Sequence, residues 1–138
     1  MRKVSLVFIF MCFSSIALAQ KSFEECGKLW KMTSEMAKCQ MEANETKVQV
    51  ISEIIKTIES TFKEQSQINA VLSTQKYWED YVEHECKSRM IPGASGSSNA
   101  AYYHDCRHRK LENRIKELKH YHDCNDNGCP ERIVHKKS

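Results

Sequence analysis

Residues 33–62 read TSEMAKCQMEANETKVQVISEIIKTIESTF, a stretch with neither glycine nor proline. Apolar side chains recur three and four positions apart through it, at Met36, Cys39, Ala43, Val50, Ile51, Ile54, Ile55, Ile58 and Phe62. Glu35, Lys38, Glu42, Glu45, Lys56 and Glu59 fall mostly off that stripe. This is the periodicity of an amphipathic helix with one face turned to a core. Thr33 or Ser34 supplies the N-cap, a hydroxyl that accepts from the free amides of the first turn.

The breaker-free run extends in both directions, from position 28 to position 91, or 64 residues. As one helix it would be about 96 Å long, too long for a compact domain of this chain length. It must fold back, and the polar residues 63–67 are the predicted turn, with Ser66 as the cap of the next helix. This second helix carries Ile68, Val71, Leu72, Gln75, Trp78, Val82 and Cys86 on its apolar side. It ends before Pro92, because the residue preceding a proline disfavours the helical region. Pro92, Gly93, Ala94, Ser95, Gly96, Ser97 and Ser98 read as a flexible turn. A third long helix is expected over about residues 99–122, with Tyr102, Leu111, Ile115, Leu118 and Tyr121 or His122 on its inner side. Upstream, the spacing of Ser22 to Glu25 fits a capping box and opens a short N-terminal helix. Nothing reads as a strand. The expected fold is all-α: an antiparallel bundle of three long helices plus that short helix.

The first nineteen residues follow a different logic. Arg2 and Lys3 precede an apolar run, and Ala17 and Ala19 are the small residues a signal peptidase requires. The run is shorter than the roughly 20 residues a membrane anchor needs. Cys12 follows Met11, whereas a lipoprotein signal wants small residues before its cysteine. Cleavage after Ala19 is expected, with a domain over residues 20–122, a short tail over 123–138 and no membrane anchor. The destination is periplasmic or secreted.

Six cysteines then remain: Cys26, Cys39, Cys86, Cys106, Cys124 and Cys129. An even number in an exported chain reads as a disulfide framework with fifteen arithmetical pairings. A helical hairpin brings Cys86 to Cys106, Cys39 lies within reach of Cys26, and Cys124 with Cys129 closes a small loop. Sequential pairing is the expected arrangement, and it removes every thiol nucleophile.

Removing Arg2 and Lys3 leaves 19 basic against 18 acidic side chains. That balance argues against nucleic acid and against a charged membrane surface. No P-loop, dinucleotide fingerprint or nucleophile elbow is present, so no catalytic group and no cofactor is expected. His104 and His108 stand four apart on the third helix, a spacing that lets two imidazoles share a metal, and His120 and His122 lie further along it. These four are the metal candidates, weighed against ordinary surface histidines. Asp123 to Gly128 repeats the first half of a calcium loop, but position 12 of the loop holds Val134 where a bidentate glutamate is needed. The Asn44-Glu45-Thr46 sequon matters only in a host that glycosylates.

One set of spacings is more specific. Leu72-x2-Gln75-x2-Trp78-x7-Cys86, a Gly/Ser turn, then Cys106-x7-Arg114-x3-Leu118 resembles the lysozyme inhibitor LprI-like domain family. Thr33-x-Glu35-Met36-x2-Cys39, with Cys26 before it, is similar to that family's first half. The likeness covers roughly residues 24–120. The chain departs from the pattern at Val82-Glu83, where the family has Arg-Asp, and at Leu111, where it has threonine. An arginine–acid pair across the hairpin would here join Arg114 to Glu83 or Glu85.

The resemblance implies an exported protein that binds lysozyme and inhibits it by occlusion, with Pro92, Gly93, Ser95 and Gly96 in the inserting turn. Gln75, Trp78, Glu83, Arg114 and Leu118 would be its structural motif. Lysozymes are commonly basic, and this near-neutral chain would steer them only weakly unless a local patch such as Glu79, Asp80, Glu83 and Glu85 serves. The competing expectations are a metal-binding envelope protein built on the histidines, and an envelope interaction module with another partner.

Overall fold

The computed structural model describes residues 21–29 and 33–124. A single turn of helix, α1 (Phe23–Cys26), opens it and runs into a 3-10 turn over Gly27–Leu29. Three long helices come after it: α2 (Thr33–Thr61), α3 (Gln65–Ser88) and α4 (Gly96–Asp123). There is no strand among the described residues. The expected bundle of three long helices and one short one is what forms.

α1 is specified locally. The Ser22 hydroxyl accepts from the Glu25 amide, and the Glu25 carboxylate accepts from the Ser22 amide at 2.7 Å. This reciprocal box satisfies two amides that no helical carbonyl reaches. Cys26 then bonds to Cys39, with 5.5 Å between α-carbons, and fastens α1 to α2.

The bundle runs up, down and up, so neighbours in sequence are antiparallel and α2 lies parallel to α4. The register of that pair is legible in its cross-links. Thr33 Oγ1 and Ser97 Oγ are 3.0 Å apart, Asn44 Nδ2 donates to the His104 carbonyl, and Lys47 pairs with Glu112 at 3.1 Å. α4 lies closest to α2, whereas the backbones of α2 and α3 stand furthest apart and meet through core side chains near their shared turn.

Ile51, Ile58, Phe62, Ile68, Val71, Leu111 and Leu118 form the main core. Val82 and the buried Cys86–Cys106 disulfide form a second cluster toward the other end of the hairpin, and Trp78 packs against both. Burying a side chain the size of leucine or phenylalanine contributes roughly 1.5–3 kcal/mol, and the disulfide about 3 kcal/mol.

Several boundaries differ from those expected. The fold-back falls at residues 62–64, α3 has already begun at Gln65, and Ser66 lies inside its first turn. Glu64 occupies the cap position without a side-chain cap bond. Burial of Phe62 on one side and Ile68 on the other sets this turn, in place of a hydroxyl cap. α4 starts at Gly96, about three residues early, because the Ser95 hydroxyl accepts from the Ser98 amide and caps it there. On the inner faces, Leu72 and Tyr102 prove exposed, and Tyr103 takes the inward position expected of Tyr102. Cys124 is buried and disulfide-bonded. Its expected partner Cys129, most of the tail and the first nineteen residues lie outside the described residues. No described helix is long and apolar enough to cross a membrane.

Candidate functional site

The α3–α4 connection is shorter than its Gly/Ser composition suggests, and it is pinned. Cys86–Cys106, with α-carbons 5.6 Å apart, clamps its base. The chain leaves α3 through Arg89 and Met90, and residues 91–94 make a tight turn. The Ala94 amide donates to the Ile91 carbonyl at 3.2 Å, Pro92 takes the second position, and Gly93 has φ 79°. That is the type II pattern, whose third residue must adopt the left-handed region that glycine tolerates best. Asn99, from the first turn of α4, then grips Ile91 from both sides. Its Oδ1 accepts from the Ile91 amide at 2.8 Å and its Nδ2 donates to the Ile91 carbonyl at 3.1 Å. The result is a held protrusion with apolar side chains outward: Met90 is 36% and Ile91 48% exposed. Of the expected turn residues, Pro92 and Gly93 lie in it, Ser95 caps α4, and Gly96 is already helical. Asn99 carries no mark in the sequence, because an asparagine next to a serine run gives no spacing signal for a bond eight residues back.

Gln75, Trp78 and Arg114 come together in the hairpin's middle. Arg114 is buried, its Nε donates to Gln75 Oε1 at 2.9 Å, and its guanidinium stands 5.6 Å from the centre of the Trp78 ring. Gln75 Nε2 donates onward to Glu79 Oε1 at 2.9 Å. The guanidinium's charge is balanced on its own helix by Glu117 at 3.2 Å. Neither Glu83 nor Glu85 is the partner of Arg114. Glu83 instead accepts from Lys87 and from the Tyr103 hydroxyl, and both hold its carboxyl below the usual range. Burial, and then that bond, push the Tyr103 phenol up to about 12. Glu85 faces away and pairs with Arg89. The four acids expected as one patch are therefore split: Glu79, Asp80 and Glu83 border the space between α2 and α3, and Glu85 does not.

The histidines are divided too. His104 and His108 lie against α2, while His120 and His122 are roughly 18–27 Å further along α4. Among the described residues no group of three or more histidine, cysteine or acidic side chains is placed to hold a metal. His108 is engaged on every side. Its Nδ1 is 3.0 Å from Asn44 Oδ1, its Nε2 is 3.4 Å from Glu112, and the Phe23 ring stacks on it with centroids 3.6 Å apart. Asn44 donates from Nδ2 to His104's carbonyl, so its Oδ1 acts as acceptor and the proton of the shared bond sits on His108 Nδ1. Burial lowers the pKa of both imidazoles, reinforced by Arg107 at His104 and by Lys47 at His108. Asn44 itself is fully buried, so the sequon is a packing element that no glycan reaches in the folded chain. Of the calcium-loop residues only Asp123 and Cys124 are described, and Asp123 lies 2.6 Å from its neighbour His122.

What the arrangement offers chemically is a presented surface: an apolar tip on a clamped hairpin. Comparison with protein-family models matches residues 26–118 to a family described as lysozyme inhibitor LprI. No curated protein and no solved structure matches the chain.

Proposed function

Because the chain belongs to the lysozyme inhibitor LprI family, we propose that it binds lysozyme and inhibits it by protein–protein occlusion. The observation that carries this reading is the family match across residues 26–118. The element proposed to enter the muramidase cleft is the tip at Met90, Ile91, Pro92 and Gly93. Three features support that choice. The tip projects apolar side chains, the Asn99 bonds and the disulfide hold it in one shape, and a loop ordered before binding loses little entropy when it docks. Its action is placed outside the cytoplasm, in the periplasm or beyond, after removal of residues 1–19.

The test is lysozyme turnover of cell-wall suspensions with the purified, oxidised protein titrated in. Goose-type, chicken-type and invertebrate-type enzymes are run in parallel beside a reduced and alkylated control. Stoichiometric inhibition of at least one class, lost on reduction, is expected. Unchanged turnover in all three classes would remove the proposed activity.

A further inference from the structure

Both α2 and α3 pack on α4; they meet each other through the core at the Phe62–Ile68 end, and beyond it a groove of about 640 Å3 opens between them. Val48, Ile55 and Trp78, each only partly buried, form its apolar floor over the core side chains of Ile51, Val82 and Leu111. Glu59 on α2 and Glu79, Asp80 and Glu83 on α3 stand along its edges, against two cations, Lys56 and Arg107. Arg107 already faces Glu45 at 3.5 Å, so its charge is partly met. Glu59 and Asp80 form no ion pair with a described residue. The rim is thus acidic in a chain whose charge is otherwise nearly balanced.

We infer that this groove is a docking site for a cationic amphipathic helix of a partner protein. Two helices flanking a third leave the seat that a fourth helix takes in a bundle, and helix-in-groove binding uses an apolar floor in just this way. The α2 side of the groove, from Val48 to Glu59, is about 17 Å long, or three turns of a bound helix. Leucine-like side chains at i, i+3, i+4 and i+7 reach the floor, and lysine or arginine on the flanks meets Glu59, Glu79 and Asp80, Glu83 being already paired with Lys87. An anionic helix with the same apolar stripe is repelled by that rim. The surface is separate from the hairpin tip, and the inference stands whether or not lysozyme is a target.

The test is calorimetric titration of the purified, oxidised protein with a synthetic helical peptide of ~18 residues, five turns, made of leucine and lysine in amphipathic order. The counterpart with glutamate in place of lysine is the control. One lysine peptide is expected per chain, with weaker binding at high salt and none for the glutamate peptide. The double variant Glu59→Lys with Asp80→Lys is expected to lose about tenfold in affinity. Ser52 lies on the exposed border of the groove, and Ser52→Trp is expected to fill it and abolish binding while leaving the melting temperature unchanged. Equal binding of both peptides, or equal binding to wild type and Ser52→Trp, would overturn the inference. So would a stable dimer blocked by Ser52→Trp, which assigns the seat to a second copy. Binding that appears only when residues 125–138 are removed assigns it to the chain's own end, and overturns it as well.

Discussion

Asn44 shows how one side chain sets the relation of two helices. It is fully buried on α2 and spends both ends of its amide on α4, at the His104 carbonyl and at His108 Nδ1. Asn44→Ala strands a buried carbonyl and an imidazole proton, at a cost of about 2–3 kcal/mol, read as a fall in melting temperature. A change below about 0.5 kcal/mol would mean that water replaces the amide there. The two histidines add a pH dependence whose sign is set by their burial. Both have folded-state pKa values below the ordinary 6.5, so below that pH the unfolded chain binds protons the folded one refuses. Their contribution is complete above about pH 6.5 and is lost as the pH falls below it. The melting temperature is expected to drop between pH 7 and pH 5, and to drop less in His108→Gln, which retains a donor for Asn44. An identical pH profile in that variant would rule out His108 as a source. The lowered carboxyls of Glu25, Glu83, Glu85 and Glu112 act in a separate window, at and below about pH 4.5.

At the scale of the element, the α3–α4 hairpin is stabilised twice, by the Cys86–Cys106 bond and by the Asn99 clamp on Ile91. Replacing both cysteines by serine removes a constraint worth about 3 kcal/mol, measurable by urea unfolding. Gly93→Ala forces a side chain into φ 79°, and about 1–2 kcal/mol of destabilisation is expected. Open space surrounds the position where the new Cβ would lie, so a clash cannot be the cause. No loss of stability in Gly93→Ala would show that the turn relaxes to another type. Elements are also where the sequence speaks most clearly. The capping box at Ser22, the breakers at Pro92 and Gly93, and the cysteine spacings all act over a short span. The pairings Cys26–Cys39 and Cys86–Cys106 rest on such local geometry. The start of α4 lies earlier than composition suggests, because three weak helix formers, Gly96, Ser97 and Ser98, are outweighed by the one good cap at Ser95. The partners of Arg114 and Asn99, and the role of Asn44, depend on which distant residues meet, and no local pattern encodes that.

For the whole molecule, the unexpected feature is that the most extensively packed pair, α2 and α4, is not adjacent in sequence. Connectivity favours reading neighbours as partners, but here the links Thr33–Ser97, Asn44–His104 and Lys47–Glu112 join the first long helix to the third. Leu111 sits at their junction, 2% exposed, and Leu111→Ala is expected to cost about 2–5 kcal/mol in chemical denaturation. The same asymmetry leaves α3 to serve as the outer arm of a clamped hairpin, with one apolar tip and one acidic flank. In the proposed reading, function at this scale is presentation by a rigid scaffold whose tip meets lysozyme. The most direct measurement is an inhibition titration comparing wild type with Ile91→Asp, a change at an exposed side chain. Wild type is expected to inhibit a susceptible lysozyme one to one, and Ile91→Asp to lose inhibition by at least about tenfold at an unchanged melting temperature. Equal inhibition by both proteins, or none by wild type, would contradict occlusion by the tip.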